Sequence, residues 1–226
     1  MIIDVIILSY AKNDEIHQMN LNCLESITKS TNKYKFNFII VETENNKKYE
    51  YPYNNLQIIY PDESFNYNRF LNFGLEQCKN DWMLITNNDT IYHKNFLETM
   101  FEFNKLDNEI LSMSPMDDDW HCHKIFDIDI PIHYGYGVPF HITGWSILLH
   151  KSVIEKIGIF DENFDFWYQD NDYAANLITN NIKHALITNS KITHLTSKSH
   201  DLIDNEKKYN MTEGSVIKFE NKWVKK

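Results

Sequence analysis

The stretch MIIDVIILSYAKNDEIHQMNLNCLESITKS, residues 1–30, decides the fold. Ile2 to Leu8 is a nearly unbroken β-branched and aliphatic run, the pattern of a strand covered on both faces of a parallel sheet, and it ends at Ser9-Tyr10. From Asp14 the apolar residues Ile16, Met19, Cys23, Leu24 and Ile27 recur at helical spacing behind an acidic first turn, so a helix follows. The same alternation continues along the chain. Phe36 to Val41 and Leu56 to Tyr60 read as strands, Phe70 to Leu75 as part of a second helix, and Trp82 to Thr86 as a fourth strand ending in Asn87-Asn88-Asp89. Phe96, Leu97, Met100 and Phe101 mark a third helix.

Strands that alternate with helices imply right-handed βαβ crossovers and a mostly parallel central sheet with helices on both faces. Such sheets bind ligands beyond the carboxyl ends of their strands. Ser9, Glu42 and Asn87 to Asp89 all terminate strands, and they are expected on one rim. The second half is less regular. Asp117 to Ile142, rich in aromatic, histidine, glycine and proline residues, exceeds an ordinary turn and reads as a lid or binding loop. Trp145 to His150 reads as a strand, Val153 to Ile157 as a short helix and Asn171 to Ile178 as a helix with Asp170 near its start. His184 to Thr188 and Lys191 to His194 read as two short strands, and the charged tail from Leu202 as a helix.

At 226 residues, against a prior of roughly 150 per domain, the chain reads as one α/β domain. By regularity it divides into a first half over about 1–115, a second half over about 116–200 and a helical tail over 201–226. A hydrophobic content of 42% excludes a disordered chain, and a net charge of -10 with no basic patch argues against a nucleic-acid partner. The abundance of Asn and Ile reads as compositional bias. Cys23, Cys78 and Cys122 are odd in number and lack a CxxC pair, which fits a reducing compartment. The N-terminal run lacks a basic start and a cleavage site, and no apolar run approaches about 20 residues. The expectation is a soluble, cytoplasmic protein with no signal peptide and no transmembrane segment.

Two constellations can carry chemistry. Asn87-Asn88-Asp89 puts a carboxylate and two amides where a parallel sheet opens; Asp89 suits a divalent cation on a diphosphate, while the same four residues through Thr90 also suit an ordinary turn. Further on, Asp161, Asp165, Asp170 and Asp172 are interleaved with Phe160, Phe164, Phe166, Trp167 and Tyr168. A carboxylate between aromatic walls can deprotonate a sugar hydroxyl while the rings stack on the sugar. Asp170 also reads as a helix cap and the rings as core. Asp117-Asp118-Asp119 follows Pro115 without a recognisable buried strand before it, and reads as a solvated or lid-forming run. His121 and His123 lack the nearby cysteines of a zinc site, and His133 and His141 read as loop residues.

The order of these pieces, from Ser9-Tyr10 through Glu42, Asn66 to Gly74, Asn87-Asn88-Asp89, Gly144-Trp145, FDENF and Gln169 to Asp172 to His194, resembles the inverting nucleotide-sugar glycosyltransferases of family two. The resemblance spans about residues 2 to 195 and implies the GT-A fold, a Rossmann-like α/β/α sandwich, with a nucleotide-binding half over about 1–115 and an acceptor-binding half over about 116–200. It implies Asp89 and His194 as the site of Mn2+ or Mg2+ and Asp170 as the general base. Ser9, Tyr10, Glu42, Asn66, Arg69, Asn87 and Asn88 fall on the donor side, and Gly144, Trp145, Trp167 and Tyr168 on the acceptor side. The implied donor is a UDP-sugar, with dTDP-rhamnose next, and the implied acceptor a hydroxyl of a glycan or glycoprotein. Asn87 and Asn88 stand where acids are common, Gln169 where Glu is usual and Glu42 where Asp is commoner, which predicts a weaker metal site. A catalytically silent nucleotide-sugar or glycan-binding domain, and a metal-dependent phosphoesterase, are the competing readings.

Overall fold

A computed structural model describes residues 1–164, 167–195 and 205–225, and of residues 205–211 the backbone alone. Strand β1 (Ile2–Ser9) and helix α1 (Asp14–Ser30) follow the opening pattern. Asn13 caps α1, its side chain accepting the Ile16 N–H at 3.0 Å. There follow β2 (Lys35–Glu42), β3 (Leu56–Ile59), α2 (Tyr67–Leu75), β4 (Trp82–Asn87), β5 (Thr90–Tyr92) and α3 (Phe96–Leu106). The second half contains β6 (Ile110–Asp117), a 3-10 turn at His121–Ile125, β7 (Ile132–Tyr134), β8 (Ser146–His150), α4 (Lys151–Ile157), α5 (Gln169–Thr179), β9 (Lys183–His194) and α6 (Asn205–Trp223).

The strands form one sheet in the order β3-β2-β1-β4-β8-β6-β9-β5, with β7 on β9. Alternation along the strands sorts the core onto two faces. Ile3, Val5 and Ile7 join Phe38, Leu84 and the α1 and α3 residues Leu24, Ile27, Phe96 and Met100 on one side. Ile6, Ile39 and Ile85 join Phe70, Leu71, Val153, Tyr173 and Leu177 of α2, α4 and α5 on the other. The result is an α/β/α sandwich. Helix α2 lies so close to β1 that a Cβ on Gly74 would meet Ile6 Cγ2 at 2.5 Å. Asp4, the polar interruption of β1, is buried and used: its carboxylate accepts the Lys79 and Asn80 backbone N–H groups at 2.7 Å each.

The sheet is mixed, which corrects the expectation of a mostly parallel one. β1, β2, β3 and β4 pair in parallel, as does β6 with β9, but β8 runs antiparallel to β4 and β6, and β5 and β7 run antiparallel to β9. Strands His184 to Thr188 and Lys191 to His194 are one continuous element, β9, whose register against β6 shifts at Pro115/Met116. The Asp117 run is also corrected, because Asp117 ends the buried strand β6. Pro115 lies within that strand beside the register irregularity, where a missing N–H is tolerated. Asp165, Phe166 and the tail residues Leu202 to Asp204 lie outside the described residues. Among the described residues no helix is long and apolar enough to cross a membrane.

Candidate active site

The strand-end rim forms as a hydrogen-bonded chain. Parallel pairing sets Ser9 opposite Glu42 and Leu8 opposite Asn87. The Ser9 hydroxyl donates to Glu42 Oε2 at 2.6 Å, and Asn20 Nδ2 of α1 donates to Ser9 Oγ at 2.7 Å. Asn88 Nδ2 in turn donates to Asn20 Oδ1 at 2.8 Å. Glu42 Oε1 also accepts the backbone N–H of Ala11 and of Glu44 at 2.9 Å each, so this buried carboxylate fixes the loops after β1 and β2. Tyr10 stands exposed on the first of those loops.

Asp89 sits in the turn between β4 and β5, and His194 at the end of β9. Antiparallel pairing sets Thr90 opposite His194, and the Leu195 N–H donates to the Asp89 carbonyl at 2.8 Å. That pairing brings His194 Nε2 to 3.2 Å from Asp89 Oδ1, with both side chains almost wholly buried. The two atoms are close but poorly aligned, and neither has a hydrogen-bond partner. Two ligands about 2.1 Å from one octahedral ion stand about 3 Å apart, so this orphaned pair fits two adjacent positions on a divalent cation. Among the described residues no group of three or more His, Cys, Asp or Glu side chains gathers to hold a metal. An ion here would take its other ligands from water or a bound anion.

Three elements hold the pair. The Trp145 ring stacks on His194 with centroids 4.6 Å apart and planes at 15°, so one face of Trp145 is covered, and Trp120 packs edge-on to it at 5.1 Å. The Trp145 carbonyl accepts the Asn87 N–H at 2.9 Å, tying the residue to the end of β4. Asp117 Oδ2 accepts the His194 backbone N–H at 3.1 Å, a positioning contact hidden from the sequence because the strand through Pro115 is.

Asp170 lies in the first turn of α5 against Gly144, the residue before Trp145. A Cβ on Gly144 would fall 2.5 Å from Asp170 Oδ1 and 2.6 Å from Oδ2, so only glycine admits this carboxylate. Burial pushes the Asp170 pKa up to about 6, opposed by a hydrogen bond from the Gly144 backbone N–H. Two neighbouring carboxylates are committed elsewhere. Asp172 Oδ1 accepts Trp223 Nε1 at 2.7 Å and pairs with Lys222 at 2.8 Å, and Lys222 also pairs with Asp161 Oδ2 at 2.8 Å. Among the described residues Asp170 has no cationic partner, and its raised pKa lets it exchange a proton near neutral pH. A small cleft beside it is lined by Tyr67, Asn68, Gly144, Phe160 and Gln169.

The remaining expected residues divide. Asn66 caps α2, its side chain accepting the Arg69 N–H at 2.9 Å, and its Nδ2 donates to the Glu162 carbonyl at 2.8 Å. Arg69 pairs with Glu162 at 3.2 Å and Glu63 at 3.4 Å and covers the Phe73 ring. Tyr168 adopts φ 66° before α5 and packs on Phe219 of α6 at 5.5 Å, while Trp167 is half-buried beside it. Two further asparagines, Asn68 and Asn72, donate to the Asp161 and Phe160 carbonyls at 2.8 and 2.9 Å, so one helix face holds the FDENF turn. Tyr67 lines the Asp170 cleft, and the charges of Asp170 and Asp89 both add to the burial that raises its pKa. The i, i+4 spacing of Asn68 and Asn72 is a legible signal that compositional bias concealed; Tyr67 offers none.

The solved structure of GalNAc-T7 with UDP, GalNAc and Mn2+ superposes on 85% of this chain with a TM-score of 0.68 at 10% identity. The chain has a GT-A-like fold. It spans 42% of the length of that GalNAc-T7 chain. No protein-family profile and no curated protein sequence matches it.

Proposed function

We propose that this protein is a metal-dependent inverting glycosyltransferase that moves one sugar from a nucleoside diphosphate to a hydroxyl of a glycan acceptor. The observation that carries the reading is the Gly144-Trp145 pair, which touches both halves of the chemistry: Gly144 abuts the Asp170 carboxylate and Trp145 stacks on the histidine beside Asp89. Fold likeness to GalNAc-T7, whose structure holds UDP and Mn2+, supports a nucleotide-sugar donor and a divalent cofactor.

Asp89 and His194 would hold Mn2+ or Mg2+ on the donor diphosphate. A cation bound there neutralises charge that grows on the departing diphosphate. Asp170, ionised above about pH 6, accepts the proton of the acceptor hydroxyl. As that oxygen bonds to the anomeric carbon, the bond from this carbon to the diphosphate oxygen breaks, its electron pair leaves with the diphosphate, and the configuration inverts. Ser9, Tyr10 and Glu42 lie on the uracil and ribose side, and Asn87 and Asn88 on the ribose and phosphate side. Asn66 and Arg69 support the donor side through the loop at Glu162. Gly144, Trp145, Trp167 and Tyr168 border the acceptor. We assign the chain to a family-two-like group, with a UDP-sugar as donor and dTDP-rhamnose next.

Thermal-shift titration with UDP-, dTDP- and GDP-sugars, with and without Mn2+, tests the assignment, because a ligand that binds the native state raises the melting temperature. The largest shift is expected from a UDP-sugar with Mn2+. No shift with any nucleotide sugar, or phosphate release from simple esters, refutes it; binding without transfer on extended incubation points to a silent binding domain.

A further inference from the structure

Tyr67 is an exception among the well-packed tyrosines. Tyr92 Oη meets Ser146 Oγ at 2.7 Å, Tyr173 Oη meets Ser112 Oγ at 2.8 Å, and Tyr136 Oη donates to the Ile182 carbonyl at 2.9 Å. Each has the length usual for a hydroxyl hydrogen bond. The Tyr67 hydroxyl has Asn87 Oδ1 at 3.5 Å, the outer limit of such a bond. Its ring packs against the core face formed by Phe70, Leu71 and Tyr173, so the side chain is fixed and its hydroxyl presented. It is presented where the two halves of the site meet. Tyr67 lines the cleft with Gly144 and Asp170, and Asn87, its distant partner, stands two residues before Asp89.

A phenol that lines the cleft with Asp170, and whose proton meets only Asn87 Oδ1 at 3.5 Å, has that proton free for a shorter hydrogen bond to a ligand oxygen. We infer that the Tyr67 hydroxyl donates a hydrogen bond to an oxygen of the transferred sugar lying between Asp89 and Asp170, and so selects donors by their sugar rather than by their nucleotide. This rests on the nucleotide-sugar reading above. Burial, the main cause, raises the phenol's pKa above its ordinary value, so it stays protonated at neutral pH, as a donor requires. A site built to hydrogen-bond a substrate oxygen discriminates strongly against a ligand that leaves the bond unmade.

The test compares Tyr67→Phe with the parent protein by calorimetric titration in Mn2+, using UDP and the UDP-sugar that gives the largest thermal shift. Phenylalanine keeps the ring in the core, and an unchanged melting temperature of the free variant verifies this. UDP affinity is expected to stay within about twofold, while affinity for the UDP-sugar falls about tenfold, the loss of one buried hydrogen bond. Equal losses for both ligands, or no loss for the sugar nucleotide, overturn the inference alone. If the parent binds neither UDP nor any UDP-sugar, the nucleotide-sugar reading fails and this inference with it.

Discussion

The Asp170 carboxylate rests on the Cα of Gly144, leaving no room for a methyl group: an added Cβ would lie 2.5 Å from Oδ1 and 2.8 Å from the carboxyl carbon. The carboxylate is thereby held, at the start of α5, by a loop that also carries the tryptophan stacked on His194.

Gly144→Ala is therefore expected to displace Asp170 without reaching the metal pair. Transfer should fall by about 100-fold, as for an ångström-scale misplacement of a reacting group, with UDP affinity nearly unchanged. Steady-state rates beside calorimetric UDP binding check this; parallel losses in both would mean that Gly144 serves the fold and not the base.

Replacing Asp170 by Asn should stabilise the protein at neutral pH. The folded pKa of about 6 lies above the unfolded carboxylate value of about 3.9. The proton-linked stability of the parent is therefore full below about pH 4 and is lost as pH rises through about 6. Asparagine removes that loss, so the variant should be more stable by about 1–3 kcal/mol at pH 7.5 and no more stable at pH 4. Urea melts at the two pH values read the difference; a variant less stable at pH 7.5 would contradict the desolvated setting of Asp170.

Asp89→Ala should abolish the response to metal. In the parent, Mn2+ with UDP at about 100 times its dissociation constant adds about 2.7 kcal/mol, a rise of about 5–10 °C for a chain of this size. The variant should show little of this rise. A rise equal to the parent's would remove Asp89 from the metal site.

Asn72→Ala should weaken the fold rather than the chemistry. Asn72 accepts the Phe160 N–H at 3.0 Å and donates to the Phe160 carbonyl at 2.9 Å and to Glu162 Oε1 at 3.0 Å. Losing these buried bonds should cost about 2–4 kcal/mol with an unchanged denaturant slope. A loss below about 0.5 kcal/mol would show that the FDENF turn is held elsewhere.

The first hundred residues were the most legible because β1, β2 and β4 are largely hydrophobic on both faces and α1 and α3 each have one apolar stripe. Ser9, Glu42 and Asn87 could be set on one rim from their positions at strand ends alone. The second half obscured itself for local reasons. Pro115 and three successive aspartates disguised the end of β6, and Asn189-Ser190 made the long strand β9 look like two. Antiparallel β5 and β8 are short, and no spacing rule states their direction. In the site, charged candidates such as Asp89, Asp170 and His194 stand out by type, whereas the place of the Tyr67 hydroxyl depends on the packing of α2 on β1, which no residue type announces.

The most direct measurement is donor binding and single-turnover transfer for Asp170→Asn beside the parent, with Mn2+ and the UDP-sugar that stabilises it most. Asp170 as proton acceptor predicts donor affinity within about twofold of the parent and transfer reduced by at least about 1,000-fold. Transfer retained within tenfold, with donor binding intact, would contradict the account.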